Sequence, residues 1–166
     1  MTEFAVRPIG EADRPEVARL VREFWHTDVA VGHGTVWEPA SLPGFLAFSG
    51  GAVVGLLTYE VRGATLEIVT INAAERTRGV GTALVEAAVA AARSNGCTEV
   101  RVTTTNDNVD ALRFYQRRRF RLVELRPDAL ARSRELKPEI PAVGAYGIPL
   151  RDELELVREI LHGAMN

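Results

Sequence analysis

Gly79 and Gly81 stand two residues apart behind Arg76-Thr77-Arg78, and from Val80 onward Leu84, Ala87, Ala88 and Ala91 recur at helical spacing. A glycine pair directly ahead of a long amphipathic run fixes where a helix begins and what can approach its first turn. The N–H groups at a helix start carry partial positive charge, and glycine lets an anion meet the backbone without a Cβ in the way. Arg76 and Arg78 add two guanidinium groups. The motif thus predicts a helix from about Val80 to a stop at Gly96, and it leaves two readings of the glycines: a phosphate seat or a plain loop.

The flanking elements narrow the fold. Phe4 to Ile9 alternates as a strand, and Asp13 with Glu16 makes a capping-box-like start to a helix reaching about Trp25. From Thr27 to Leu42 glycines and prolines break every period. Gly44 to Phe48 and Ala52 to Val61 read as strands joined at Ser49-Gly50-Gly51, and Arg62-Gly63 turns the chain into a third strand, Thr65 to Ile71. An antiparallel meander therefore feeds the glycine motif. A nucleotide P-loop needs lysine then Ser or Thr after its glycine, whereas Gly81 is followed by Thr82-Ala83; a dinucleotide fingerprint needs a third glycine inside a parallel βαβ unit. Both are excluded.

Beyond the motif the pattern gives a strand at Glu99 to Thr104, a short helix from Asn108 to about Gln116, a strand at Phe120 to Leu125 and a helix at Asp128 to Leu136. Pro138 to Pro149 is a connection. Glu153, Leu154, Glu155 and Leu156 alternate, so Glu153 to Ile160 reads as a strand, which either closes its own sheet or adds to that of a neighbour in a homodimer. No internal repeat divides residues 1–166, which read as a single domain with a less typical part at 126–166.

Composition limits the partners. With 166 residues, 46% of them apolar, the chain can bury a core, and a formal charge of −2 gives no general attraction to nucleic acid or an anionic membrane. The N-terminus lacks a basic region followed by an apolar stretch, and no apolar run approaches the ~18 residues of a membrane span, so a cytoplasmic location is expected. Cys97 is the single cysteine and has no companion ligands at zinc spacing, so no metal is expected.

A second motif makes the reading specific. Asn108, Ala111, Phe114-Tyr115 and Phe120 follow the pattern Asn, two residues, Ala, two residues, Phe-Tyr, three residues, Gly-Phe, with Arg119 in place of the usual glycine. Together with Arg76, Gly79 and Gly81, in the order Arg or Gln, two residues, Gly, one residue, Gly or Ala, the chain resembles the GNAT superfamily of N-acetyltransferases from about Phe4 to Leu125. The resemblance implies a mixed α/β fold, a central, mostly antiparallel twisted sheet flanked by helices. It implies acetyl-CoA as co-substrate and direct transfer of the acetyl group to a primary amine. A CoA-binding sensory module and an acyltransferase with another acyl group or acceptor are the alternatives.

On this resemblance, Arg76, Thr77, Arg78, Gly79, Val80, Gly81 and Thr82 would hold the CoA pyrophosphate, and backbone near Ile71 would bind pantetheine and polarise the acetyl carbonyl. Asn108 would bond the pantetheine arm or cap its helix, two compatible roles. Phe114 would line the cofactor site. Tyr115 would approach the CoA sulfur as general acid or hydrogen-bond donor. A lysine-like amine of pKa ~10.4 must lose a proton at pH 7, which costs ~4.6 kcal/mol, so a base or a water relay to one is needed. Glu67 is the leading candidate, because its parity with Val69 and Ile71 puts all three on one strand face; a salt-bridge role is the alternative. Trp25, His26, His33, Trp37, Glu38 and Tyr146 are candidates for shaping an acceptor pocket.

Overall fold

The computed structural model describes residues 3–74 and 78–161. The chain divides into two compact units, the first comprising Met1–Ala30, Glu38–Val100 and Ile160–Asn166, the second Val31–Trp37 and Arg101–Glu159.

In the first unit the meander forms as its turn residues dictate. Strand β1 (Ala5–Pro8) pairs antiparallel with β4 (Gly44–Ser49), β4 with β5 (Ala52–Arg62), and β5 with β6 (Thr65–Ala73). Gly50 and Gly51 join β4 to β5 with φ of 57° and 81°, values that side chains resist and glycine accepts. Helix α1 (Arg14–Trp25) buries Val17, Leu20 and Val21 against Leu46 and Leu56 of the sheet. Helix α2 (Val80–Ser94) buries Val80, Leu84, Val85, Ala88, Val89 and Ala92, the stripe its spacing predicts, and ends at Gly96 with φ 71°.

The start of α1 differs from the expected capping box. Asp13 is the N-cap residue, but its side chain makes no cap bond to the helix. Its carboxylate instead accepts the Gly10 N–H at 2.7 Å and a two-point bridge from Arg7 at 2.6 and 2.9 Å, because a 3-10 turn at Glu11–Asp13 precedes the helix.

The second unit holds a small hairpin, β2 (Ala30–Gly32) with β3 (Thr35–Trp37), inside the stretch whose sequence showed no period. Its turn is His33-Gly34, both at positive φ. Strand β7 (Glu99–Thr105) enters this unit, followed by α3 (Val109–Arg117), β8 (Arg121–Arg126), α4 (Ala129–Leu136) and β9 (Glu153–Glu159). The tail strand closes its own sheet: β9 lies between β7 and β8 and pairs antiparallel with β8. Glu153, 3% exposed, ties the unit together by accepting His33 N–H at 2.9 Å, the Arg126 guanidinium at 3.3 Å and the Ser133 hydroxyl at 3.4 Å. The mixed α/β class with antiparallel strand pairing is the one the sequence predicts. No helix among the described residues is long and apolar enough to cross a membrane.

Candidate active site

The first unit carries the glycine motif and the strand that feeds it. Gly79 is the N-cap of α2, at φ 85° and ψ −6°, a left-handed conformation that glycine adopts at little cost. Its first turn contains no acidic residue, in contrast to Glu16 in α1 and Asp110 in α3, so the positive end of a 15-residue helix is not offset by a carboxylate of its own. Val80 is fully buried while Arg78 and Gly79 are exposed and Gly81 and Thr82 half-buried. Val80 pins the turn to the sheet, with Gly55 of β5 directly beneath it: a Cβ at Gly55 would come within 2.5 Å of Val80 Cγ1. Arg76 and Thr77 lie outside the described residues.

On β6, Leu66, Ile68 and Thr70 are buried, and Glu67, Val69 and Ile71 form the half-exposed alternate set, as parity predicts. One feature has no signal in the sequence. Thr58 pairs with Thr70 but Tyr59 with Ile68, so Val69 is an extra residue, a bulge that twists the strand between Glu67 and Ile71. The buried Thr58 and Thr70 hydroxyls meet beside it at 2.6 Å. Glu67 sits directly opposite Glu60, whose carboxylate accepts from Arg62 at 3.1 Å. Two carboxylates facing each other across one strand pair disfavour an additional anion and favour a cation.

The second unit carries the other motif. Asn108 is the N-cap of α3, and its Oδ1 accepts the Ala111 N–H at 3.1 Å, so the capping role is filled. The residues before it brace the tail: Asn106 donates to Pro149 O at 2.8 Å and its Oδ1 accepts the N–H groups of Arg151 and Asp152, each at 3.0 Å. Asp107 accepts the Ala145 N–H at 2.9 Å and lies so close to Gly144 that a Cβ there would overlap its carboxylate. Asn-Asp-Asn ahead of a helix is the composition that bonds nearby backbone, but which distant carbonyls and amides it reaches is set by the fold.

Tyr115 is 4% exposed and lies between Phe114, 5.3 Å away edge-on, and Phe120, 5.4 Å away. Burial pushes its phenol well above the ordinary value, so it is a proton donor throughout the neutral range. The helix end that sets this packing is a complete left-handed stop. Arg119 has φ 72°, its N–H bonds Gln116 O at 3.3 Å, and the Phe120 N–H bonds Tyr115 O at 3.1 Å. Arg119 therefore holds the geometry that glycine would. Phe114 faces outward into an open cavity of about 410 Å³ lined by Asp110, Arg113, Arg117 and Arg118, and the Arg118 guanidinium lies 3.7 Å over its ring.

Of the acceptor-pocket candidates in the second unit, His33 and Trp37 meet edge-on at 5.3 Å, while Tyr146 is 70% exposed and donates to Asp110 at 2.6 Å. In the first unit Trp25 packs against the α1 core and His26 ends that helix at φ 56°. Cys97 is fully buried and burial raises its thiol pKa, which opposes a nucleophilic thiolate. Among the described residues no group of three or more His, Cys, Asp or Glu is placed to hold a metal ion.

Comparison with known proteins bears on both motifs. A sequence profile described as "Acetyltransferase (GNAT) family" matches residues 11–120. The Bacillus subtilis (strain 168) protein YxbD is 34% identical over 154 residues, covering 92% of this chain and 97% of that protein. An IAA acetyltransferase from Bacillus cereus ATCC 14579 superposes with a TM-score of 0.68 at 24% identity, covering 95% of this chain and 99% of the other. A GNAT family acetyltransferase from Elizabethkingia anophelis with acetyl-CoA bound superposes with a TM-score of 0.69 at 17% identity, covering 94% and 97%.

Proposed function

The chain belongs to the GNAT family of acetyltransferases, and from that premise we propose that it moves the acetyl group of acetyl-CoA directly to a primary amine. The observation that carries this reading is the start of α2: a left-handed glycine N-cap, no acidic residue in the first turn, and a buried Val80 that fixes the turn in place. Such a start binds a phosphate-rich ligand through backbone amides, with Arg78, Gly81 and Thr82 beside it, and the family motif adds Arg76 and Thr77 as further ligands. The acetyl-CoA held by the Elizabethkingia anophelis protein supports the same choice of donor here.

Glu67 accepts a proton from the incoming ammonium, directly or through water, and Glu60 opposite adds to the pull on a cation. The bulge leaves Val69 outside the β5–β6 ladder two residues before Ile71, and backbone groups near Ile71 polarise the acetyl carbonyl. As nitrogen bonds to the acetyl carbon, the carbon–sulfur bond breaks, the CoA thiolate leaves and the nitrogen gives up its second proton to water. Tyr115, still protonated, hydrogen-bonds that thiolate; full transfer is uphill from a phenol whose pKa burial has raised, so the final proton comes from solvent. Asn108 and Phe114 line the pantetheine arm.

The test is CoA release from acetyl-CoA across a panel of small primary amines and amine-bearing peptides, with mass analysis of the product. An N-acetylated amine, formed ~100-fold or more slowly by Glu67→Gln with unchanged acetyl-CoA affinity, supports the reading. Binding of acetyl-CoA with no turnover on any amine would favour the sensory alternative, and an acetyl ester product would replace the amine by an oxygen acceptor.

A further inference from the structure

Strand β6 changes face where its ladder skips a residue. On one side of the skip Leu57 pairs with Ile71 and Thr58 with Thr70; on the other Tyr59 meets Ile68 and Glu60 meets Glu67. Residues paired across an antiparallel ladder share a face, and so do residues two apart on the unbroken strand β5. Thr58, Thr70, Glu60 and Glu67 therefore lie on one face, the face on which Leu56 packs beneath α1. Without the extra residue Glu67 would pair with Val61 and belong to the other face, and Ile68 would stand opposite Glu60. The alternation of exposure along β6 runs through the bulge unbroken and does not reveal it.

A bulge stays in place only if passing the extra residue to either neighbour is costly. Toward Glu67 the cost falls on Ile68, 3% exposed, which would lose its place opposite Tyr59. Toward Ile71 it falls on two hydroxyls. Thr58 and Thr70 are 0% and 5% exposed, their side-chain oxygens lie 2.6 Å apart, and among the described residues neither hydroxyl has another partner. Moving the extra residue from Val69 to Thr70 would set Thr58 against Val69 and leave both hydroxyls buried and unbonded. Both side chains are β-branched and stiff, so the bond orders little that was free. We infer that Thr58 and Thr70 are positioning residues: their bond pins the bulge at Val69, and thereby fixes Glu67 on one side of it and the backbone at Ile71 on the other. The role, though not the pin, rests on the proposed reaction, in which Glu67 is the base and backbone near Ile71 polarises the carbonyl.

The test joins amide hydrogen exchange, read by NMR on the whole chain and needing no substrate, to kinetics with an amine that the wild type acetylates. Thr70→Val keeps the shape and removes the hydroxyl; Thr70→Ser keeps the hydroxyl. In Thr70→Val, exchange at Thr58 and from Val69 to Ile71 should quicken by about tenfold or more relative to the amides of α2. Its kcat should fall about tenfold with the KM for acetyl-CoA unchanged, while Thr70→Ser stays near wild type in both. Thr58→Val with Thr70→Val leaves no hydroxyl unpaired, so it should regain the stability that Thr70→Val alone loses, yet its kcat should stay low. Unchanged exchange in Thr70→Val, or a double variant whose kcat recovers with its stability, would overturn the inference. Faster exchange in Thr70→Val beside a Glu67→Gln variant as active as wild type would support the pin and overturn Glu67 as the base.

Discussion

Gly55 and Val80 occupy a single space: a side chain on the glycine would reach within 2.5 Å of Val80 Cγ1 and 3.0 Å of Leu84 Cδ1. The absence of a side chain in mid-strand is what lets the first turn of α2 sit against β5. Gly55→Ala is therefore expected to lift that turn and destabilise the protein by ~1–3 kcal/mol through overpacking. Acetyl-CoA affinity is expected to fall with it, because that turn is the seat proposed for the CoA phosphates. Denaturant melts and calorimetry on the one variant read both, and unchanged affinity at reduced stability would separate Gly55 from the ligand seat.

Arg126 reaches Glu153 at 3.3 Å and Glu155 at 3.4 Å, both carboxylates being nearly enclosed. Removing the cation leaves two buried anions, so Arg126→Met should cost about 3 kcal/mol of stability. Arg19→Met, which removes exposed bridges to Glu16 and Glu23, should change stability little. Urea unfolding of the two variants side by side checks the contrast.

At Arg119 the left-handed stop is filled by a residue with a Cβ. Arg119→Gly relieves that strain and should raise stability by up to ~1 kcal/mol, less what the freer unfolded chain takes back. A fall in melting temperature would show that the exposed arginine contributes more than its backbone conformation costs.

Burial raises the Tyr115 phenol, so the folded protein holds that proton more tightly than the unfolded chain. The stabilisation is complete below the unfolded value of ~10 and is lost progressively as pH rises from there to the higher folded value. Stability of the wild type should fall above pH ~10, and Tyr115→Phe should fall less steeply there. Tyr59, shifted the same way by burial, keeps the variant from becoming flat. Urea midpoints across alkaline pH measure the difference, and parallel curves would mean that Tyr115 ionises as it does in the unfolded chain.

Much of this architecture is legible in the residues. The Gly50-Gly51 turn, the apolar stripe of α2, its stop at Gly96 and the alternation of β9 all express local preferences that tertiary contacts then reinforce. Asn108 could be read as a cap because its bond to Ala111 spans three residues. What the sequence hides is non-local. The bulge at Val69 exists only relative to β5, and the β2–β3 turn puts His33 at φ 37°, where its backbone N–H is held by Glu153, 120 residues away. Gly55 reads as an ordinary strand glycine until α2 is laid across it.

The glycine-led start of α2 is the proposed seat of the CoA phosphates, and calorimetric titration of acetyl-CoA, with ATP as the control for generic phosphate binding, decides whether it is one. Selective micromolar binding of acetyl-CoA, weakened by Gly55→Ala, is the predicted result. No binding, or equal binding of ATP, would contradict it.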